Sequence, residues 1–328
     1  MPQKKISFLF LLLPIIFFNF ASAQKVSEVD KIVAKYPKSF ASTEKLADKI
    51  EKDFDSDYDR ARAIYSWIAF NIKYDFNTFL NPPRTQGFSY SSEAEKQRKI
   101  KQINDNLIQK TFKSQKAVCE GFTALYQHLA SLMGIKCEII RGDSKISVRD
   151  IGRKNTSSNH AWNMVFIDKK WRLVDVTWGQ GYYDSSKGRM VNDFNPAYFD
   201  TDPDYFFAKH FPDSGTFLSD RLSKEAFLNG PLIYNKTIEE DYQIKTPDSG
   251  IIEARRGDKI TFEIKNLSKS DQVFYLNKRN QPVKIQNAKE KRGGLEFQIL
   301  IDSNVGEYIT IYANTNSIVS FKIVSNNS

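Results

Sequence analysis

One run constrains this chain more than any other: Lys116-Ala-Val-Cys119-Glu-Gly121-Phe-Thr-Ala-Leu-Tyr-Gln-His-Leu-Ala-Ser-Leu-Met133. Its large apolar side chains fall at Phe122, Leu125, Tyr126, Leu129, Leu132 and Met133, the spacing of one stripe of an α-helix, and Gly134 supplies a stop. Cys119 therefore sits at or just before a helix N-terminus. There the unpaired N–H groups and the macrodipole favour a thiolate. Such a cysteine is a candidate nucleophile wherever a base reaches it.

The candidate base lies about forty residues on, in Asn159-His160-Ala-Trp162-Asn163, and a carboxylate follows in Trp171-Arg-Leu-Val-Asp175-Val-Thr-Trp178. Ala161 to Ile167 and Lys170 to Val176 read as strands around a tight Asp168-Lys169 turn. With a two-residue loop, 167 pairs with 170 and 160 with 177. His160 and Asp175 are then diagonal neighbours on one face, about 7–8 Å apart at Cα. Cys119, His160 and Asp175 make a candidate catalytic triad, with the Cys119 backbone N–H a natural oxyanion donor. There is no HExxH, no CxxC pair and no phosphate loop, so neither a metal nor a nucleotide cofactor is expected. His128 points away from the apolar stripe and reads as a surface residue, and His210 reads as a loop or interface residue.

The first residues have the form of an export signal. Lys4 and Lys5 precede an apolar run from Ile6 to Phe20, and Ala21-Ser22-Ala23 offers a small-residue cleavage site. The run is short for a bilayer span, so a periplasmic or secreted chain starting near Gln24 is expected, with no membrane span after cleavage. Net charge is +9, and removing Lys4 and Lys5 leaves 46 basic against 39 acidic residues, or +7. The basic residues are dispersed, which suits a solvated surface and gives no support for nucleic-acid binding. Two cysteines in an exported chain invite a disulfide. The residues around them favour free thiols, with Cys137 a small apolar filler.

Along the chain, helices are expected from about Ser42 to Phe54, with Phe40 stapled on Leu46, and from Asp55-Ser56 to about Asn71. The charged stretch from Glu93 to Lys116 reads as a surface helix, either a cover over the cysteine or a spacer. Cys137 to Ile140 reads as a short strand and Arg141 to Ser158 as loop. Beyond about Asp241, strands are expected at 251–254, 259–265, 272–276, 294–301, 308–313 and 318–324, punctuated by glycines, as in a small β-sandwich.

Ala117-Val-Cys119-Glu-Gly121, His160-Ala-Trp162-Asn and Trp171-Arg-Leu-Val-Asp175-Val-Thr-Trp178-Gly together resemble the transglutaminase-like superfamily. Asp59 to Asp75 looks like that family's leading helix, and Tyr198-Phe199, Asp202-Pro203 and His210-Phe-Pro212 are similar to its kyphoscoliosis peptidase branch. Ala117 stands where many members have glycine, and Phe217-Leu-Ser-Asp220 replaces their aromatic-Gln-Leu-Leu. The resemblance covers roughly residues 42–245 and implies an α+β, papain-like fold with the cysteine helix on an antiparallel sheet. It places the family's Cys, His and Asp on Cys119, His160 and Asp175. The expected layout is a signal peptide at 1–23, a transglutaminase-like domain at 24–240 and a β-sandwich at 241–328. The expected function is cysteine-dependent acyl transfer on peptide-like amides, by a peptidase, an amidase or a protein cross-linker, with a protein or cell-envelope peptide as substrate. The alternative is a catalytically silent envelope or adhesion binding module.

Overall fold

The computed structural model describes residues 26–83, 87–154, 158–184, 187–214 and 223–325. The export signal read at 1–23 and the Phe217–Asp220 segment lie outside the described residues. Three helices lead, Glu28–Val33, Thr43–Asp53 and Asp57–Asn71, and each begins at a serine. Ser27, Ser42 and Ser56 accept from the backbone N–H three residues on, satisfying a donor that the helix start leaves over. Phe40, expected on Leu46, packs its ring edge-on against Trp67.

The Asp57–Asn71 helix is buried on nearly every side from Ala61 to Ala69, so it is the axis of the first half of the chain. Arg62, inside it, is buried against an equally buried Asp30 in a two-pronged ion pair, both bonds 2.8 Å. Ser66 joins the same carboxylate, and the guanidinium also reaches the Pro196 carbonyl at 3.2 Å. The pair thus joins the first helix, the central helix and the loop before Tyr198.

The cysteine helix, Cys119–Leu132, lies between this axis and a four-stranded antiparallel sheet. The strand order is Lys170–Val174, His160–Ile167, Cys137–Ser144, His210–Pro212. Asp168 and Lys169 both have positive φ, 53° and 61°, as a two-residue hairpin turn of the primed type requires. Ile167 pairs with Lys170 and Asn163 with Val174, the expected register. The strand ends at Val174, however, and not at Val176, because Asp175 caps a short helix, Val176–Gln180, accepting from the Trp178 N–H. The 137–140 strand runs on to Ser144, since its second half pairs with both His160–Ile167 and His210–Pro212.

The charged helix Glu93–Ser114 lies along the outer face of the cysteine helix, where it lines a groove with Ala124, Gln127 and His128. It braces that face. His128 is half-buried and bonds Thr43 at 3.0 Å, so it ties two helices together and is not a free surface residue.

Toward the C-terminus two sheets pack face to face. One contains Gln243–Thr246, Lys259–Lys265, Gly294–Leu300 and Lys289–Lys291; the other contains Ile251–Ala254, Asn316–Ser325, Tyr308–Ala313, Val273–Leu276 and Pro282–Lys284. Phe262 stacks on Phe297 and meets Phe321 of the facing sheet edge-on, with ring centroids 5.4 Å apart in both pairs. The strands not expected from the sequence are short or carry charge, as edge strands do. Leu232–Ile233 pairs with Asn316–Ser325, and Lys145 Nζ donates to the carbonyls of Phe227 and Gly230 at 2.6 Å. Those contacts seat the strand-rich region against the first half.

Removing one partner of a buried ion pair leaves the other charge uncompensated, at about 3–5 kcal/mol. Arg62→Met is therefore expected to lower the unfolding free energy by about that much in urea titration, and adding Asp30→Leu should restore part of it.

Candidate active site

Cys119 is the first residue of its helix, and its predecessor Val118 provides no side-chain cap. The helix start thus has no side-chain cap at the residue that carries the thiol. Gly121, one turn in, is required by packing. A Cβ there would lie 2.5 Å from both the Ala117 Cβ and the Thr111 hydroxyl, so a side chain would push the charged helix away from the cysteine.

His160 opens its strand, and its Nε2 is 2.7 Å from Asp175 Oδ2. The other ring nitrogen, Nδ1, is left for the sulfur. Burial acts to strip the His160 proton, but the charge and hydrogen bond of Asp175, joined by a hydrogen bond with Cys119, outweigh it and push the ring up to about 10. Burial likewise acts to neutralise Asp175, yet His160 and His210 hold its carboxyl well below the usual carboxylate range. Cys119, His160 and Asp175, carried on three elements, are thereby brought into one buried cluster. Both cysteines are free thiols. Burial pushes the Cys137 thiol up to about 12, as suits an inert filler.

Sequence reasoning missed four neighbours. His210 Nε2 lies 2.9 Å from the same Asp175 Oδ2, and its ring is fully buried. Trp178 stacks on His160 at 5.0 Å and 19° and closes that side from water. Glu120 Oε2 accepts from the Cys119 thiol at 3.2 Å. Tyr74 is held protonated by burial and by the charges of Cys119 and Glu120. Glu120 and Trp178 stand inside the motifs around Cys119 and Asp175, and His210 stands in the His-Phe-Pro motif, 35 residues from its partner. Tyr74 also borders a cavity of about 400 Å³ lined by Lys73 and the strand Arg189–Asn192.

His160, Asp175 and His210 are a donor set in which three ligand atoms converge within 4.8 Å. Their hydrogen bonds already account for that convergence. Among the described residues no helix is long and apolar enough to cross a membrane.

The charge on His160 has one testable outcome. A histidine whose pKa is raised from 6.5 to about 10 keeps its proton across neutral pH. Its pairing energy is full below pH 6.5 and is lost as pH rises through about 10. At pH 7, Cys119 should therefore be alkylated by iodoacetamide far faster than Cys137, and His160→Ala should abolish the difference, read by peptide mass spectrometry.

Residues 44–176 match the sequence profile of the transglutaminase-like superfamily. The chain is 25% identical over 297 residues to the human (Homo sapiens) kyphoscoliosis peptidase, a match that takes in 90% of this chain and 41% of that protein. It is 29% identical over 168 residues to the Lim and transglutaminase domain protein ltd-1 of Caenorhabditis elegans, across 48% of this chain and 20% of that one. A solved structure described as the crystal structure of a TGase aligns with 46% of this chain and 34% of its own at 20% identity and TM-score 0.27. The chain spans about two-fifths of the length of the kyphoscoliosis peptidase it matches. Residues 44–176 are a transglutaminase-like superfamily domain, on the branch that includes the kyphoscoliosis peptidase.

Proposed function

We infer that this chain is an exported cysteine enzyme that cleaves or transfers acyl groups of peptide-like amides, with Cys119 as nucleophile, His160 as acid and base, and Asp175 as its orienting partner. One observation carries the reading: a histidine held by a buried aspartate at 2.7 Å, in the same buried cluster as a cysteine at a helix start without a side-chain cap. Export is supported by the pattern of the first 23 residues, which also makes a cell-envelope peptide or protein the substrate of choice.

In the reaction the Cys119 thiolate adds to the amide carbonyl carbon, forming a C–S bond and an oxyanion. Helix-start N–H groups, that of Cys119 first, stabilise the oxyanion. His160 passes its Nδ1 proton to the amide nitrogen as the C–N bond breaks, and the amine leaves. Water then gives a proton to His160 and its hydroxide adds to the thioester carbon, and the C–S bond breaks to release the carboxylic acid and restore the Cys119 thiolate beside the His160 imidazolium. Asp175 stays ionised throughout. A primary amine in place of water gives transamidation. Hydrolysis is the leading reading, since water, unlike a lysine side chain, needs no acceptor site of its own.

The experiment is to incubate the protein with casein and a fluorescent primary amine, and to follow both new N-termini and label incorporation. New N-termini that disappear in Cys119→Ala support hydrolysis, and labelled casein moves the reading to cross-linking. Neither product, together with an inert Cys119, moves it to the silent binding module. Asp175→Asn is expected to lower turnover on the order of a thousandfold or more, since the imidazole loses its tautomer and its charge partner.

A further inference from the structure

Asp175 carries more hydrogen bonds than an orienting carboxylate needs. Oδ1 accepts the Trp178 N–H at 3.0 Å, and Oδ2 lies between two imidazoles, His160 Nε2 at 2.7 Å and His210 Nε2 at 2.9 Å. His210 is rigidly placed for this. It stacks on Phe206 at 4.0 Å and packs on Trp178 at 4.3 Å. Its short strand can approach only because Gly142, paired with both His160 and Pro212, leaves no room for a side chain.

The proton count on His210 decides what it does. Its Nδ1 faces the Phe206 carbonyl at 3.0 Å and its Nε2 faces the carboxylate, so both nitrogens look at acceptors. Burial pushes the ring down to about 4, so at neutral pH it has one proton for two places. The Phe206 carbonyl already accepts the His210 backbone N–H. The charge-assisted bond to Asp175 is the stronger of the two, so the proton belongs on Nε2.

We propose that His210 is a positioning residue that donates from Nε2 to Asp175, fixing the carboxylate and drawing off part of the charge it exerts on His160. This rests on the triad reading above. A carboxylate with fewer donors binds the His160 imidazolium more tightly. That would leave His160 a poorer acid for the departing amine, since a proton donor works best when its pKa is near the working pH.

Other ionisable groups face this cluster from each packed element. Tyr65, Tyr74 and Tyr198 are held protonated above their ordinary range, chiefly by burial, and do not titrate near neutrality. Glu120 touches the sulfur and not the carboxylate. Lys209, which burial pushes down to about 7 and which feels Asp175, is the one competitor and needs its own control.

The chain has three histidines, so ¹⁵N-histidine NMR across pH resolves His160 without any substrate. His210→Phe keeps the ring stack and removes the donor. It is expected to move the His160 deprotonation midpoint up by about one unit. His210→Gln, whose amide reaches as far as Nε2, should return the midpoint close to wild type. An unmoved or lowered midpoint in folded His210→Phe overturns the proposal, as does an equal upward shift in Lys209→Met. If His160 is already neutral at pH 7 in the wild type, the triad reading itself falls, and this inference with it. A wild-type imidazolium with no His210 effect removes only the inference.

Discussion

A fully buried carboxylate is the constraint on which the candidate site depends. An ionised Asp175 with no contact to water is tolerable only if its oxygens are met by donors. The donors come from three places: a strand start in His160, a helix amide in Trp178 and an edge strand in His210. Each must therefore be fixed to within a hydrogen-bond length of the others. The hairpin turn at Asp168-Lys169, the cap at the Val176–Gln180 helix and the close approach at Gly142 are the local devices that achieve it.

The thiol is placed by a different part of the molecule. Its helix is seated on the buried Asp57–Asn71 axis and on the sheet, with Tyr126 donating to the Ala61 carbonyl at 3.1 Å. The Arg62–Asp30 pair locks that axis to the loop that leads to Tyr198. Core and site are thus joined mechanically, since a shift of the axis moves the cysteine relative to the histidine. The segment that matches the superfamily ends at residue 176, yet His210 and Lys209 belong to the same cluster. The chemistry of Asp175 is completed by residues beyond that segment.

The sulfur has a carboxylate for a neighbour, since the Cys119 thiol donates to Glu120 Oε2 at 3.2 Å, and the charge of Asp175 holds the proton on His160. Trp178 adds to the histidine side by excluding water from one face of the ring, which strengthens every charge interaction there.

The amino-acid sequence by itself determined the periodic and local features. Helical spacing placed Cys119 at a helix start, the two-residue turn set the pairing of the strands that lead from His160 and to Asp175, and Ser42 and Ser56 marked two of the leading helices. These are decided within a few residues, where backbone geometry and hydrogen bonding leave few choices. Only the tertiary structure decided the rest. It turned His210 from a loop residue into a partner of Asp175, tied the half-buried His128 to Thr43, ended the strand at a helix cap and ran a second strand on to Ser144. In each case the partner is remote in the chain or supplied by a neighbouring strand. No local pattern encodes a contact whose energy exists only once the core has closed around it.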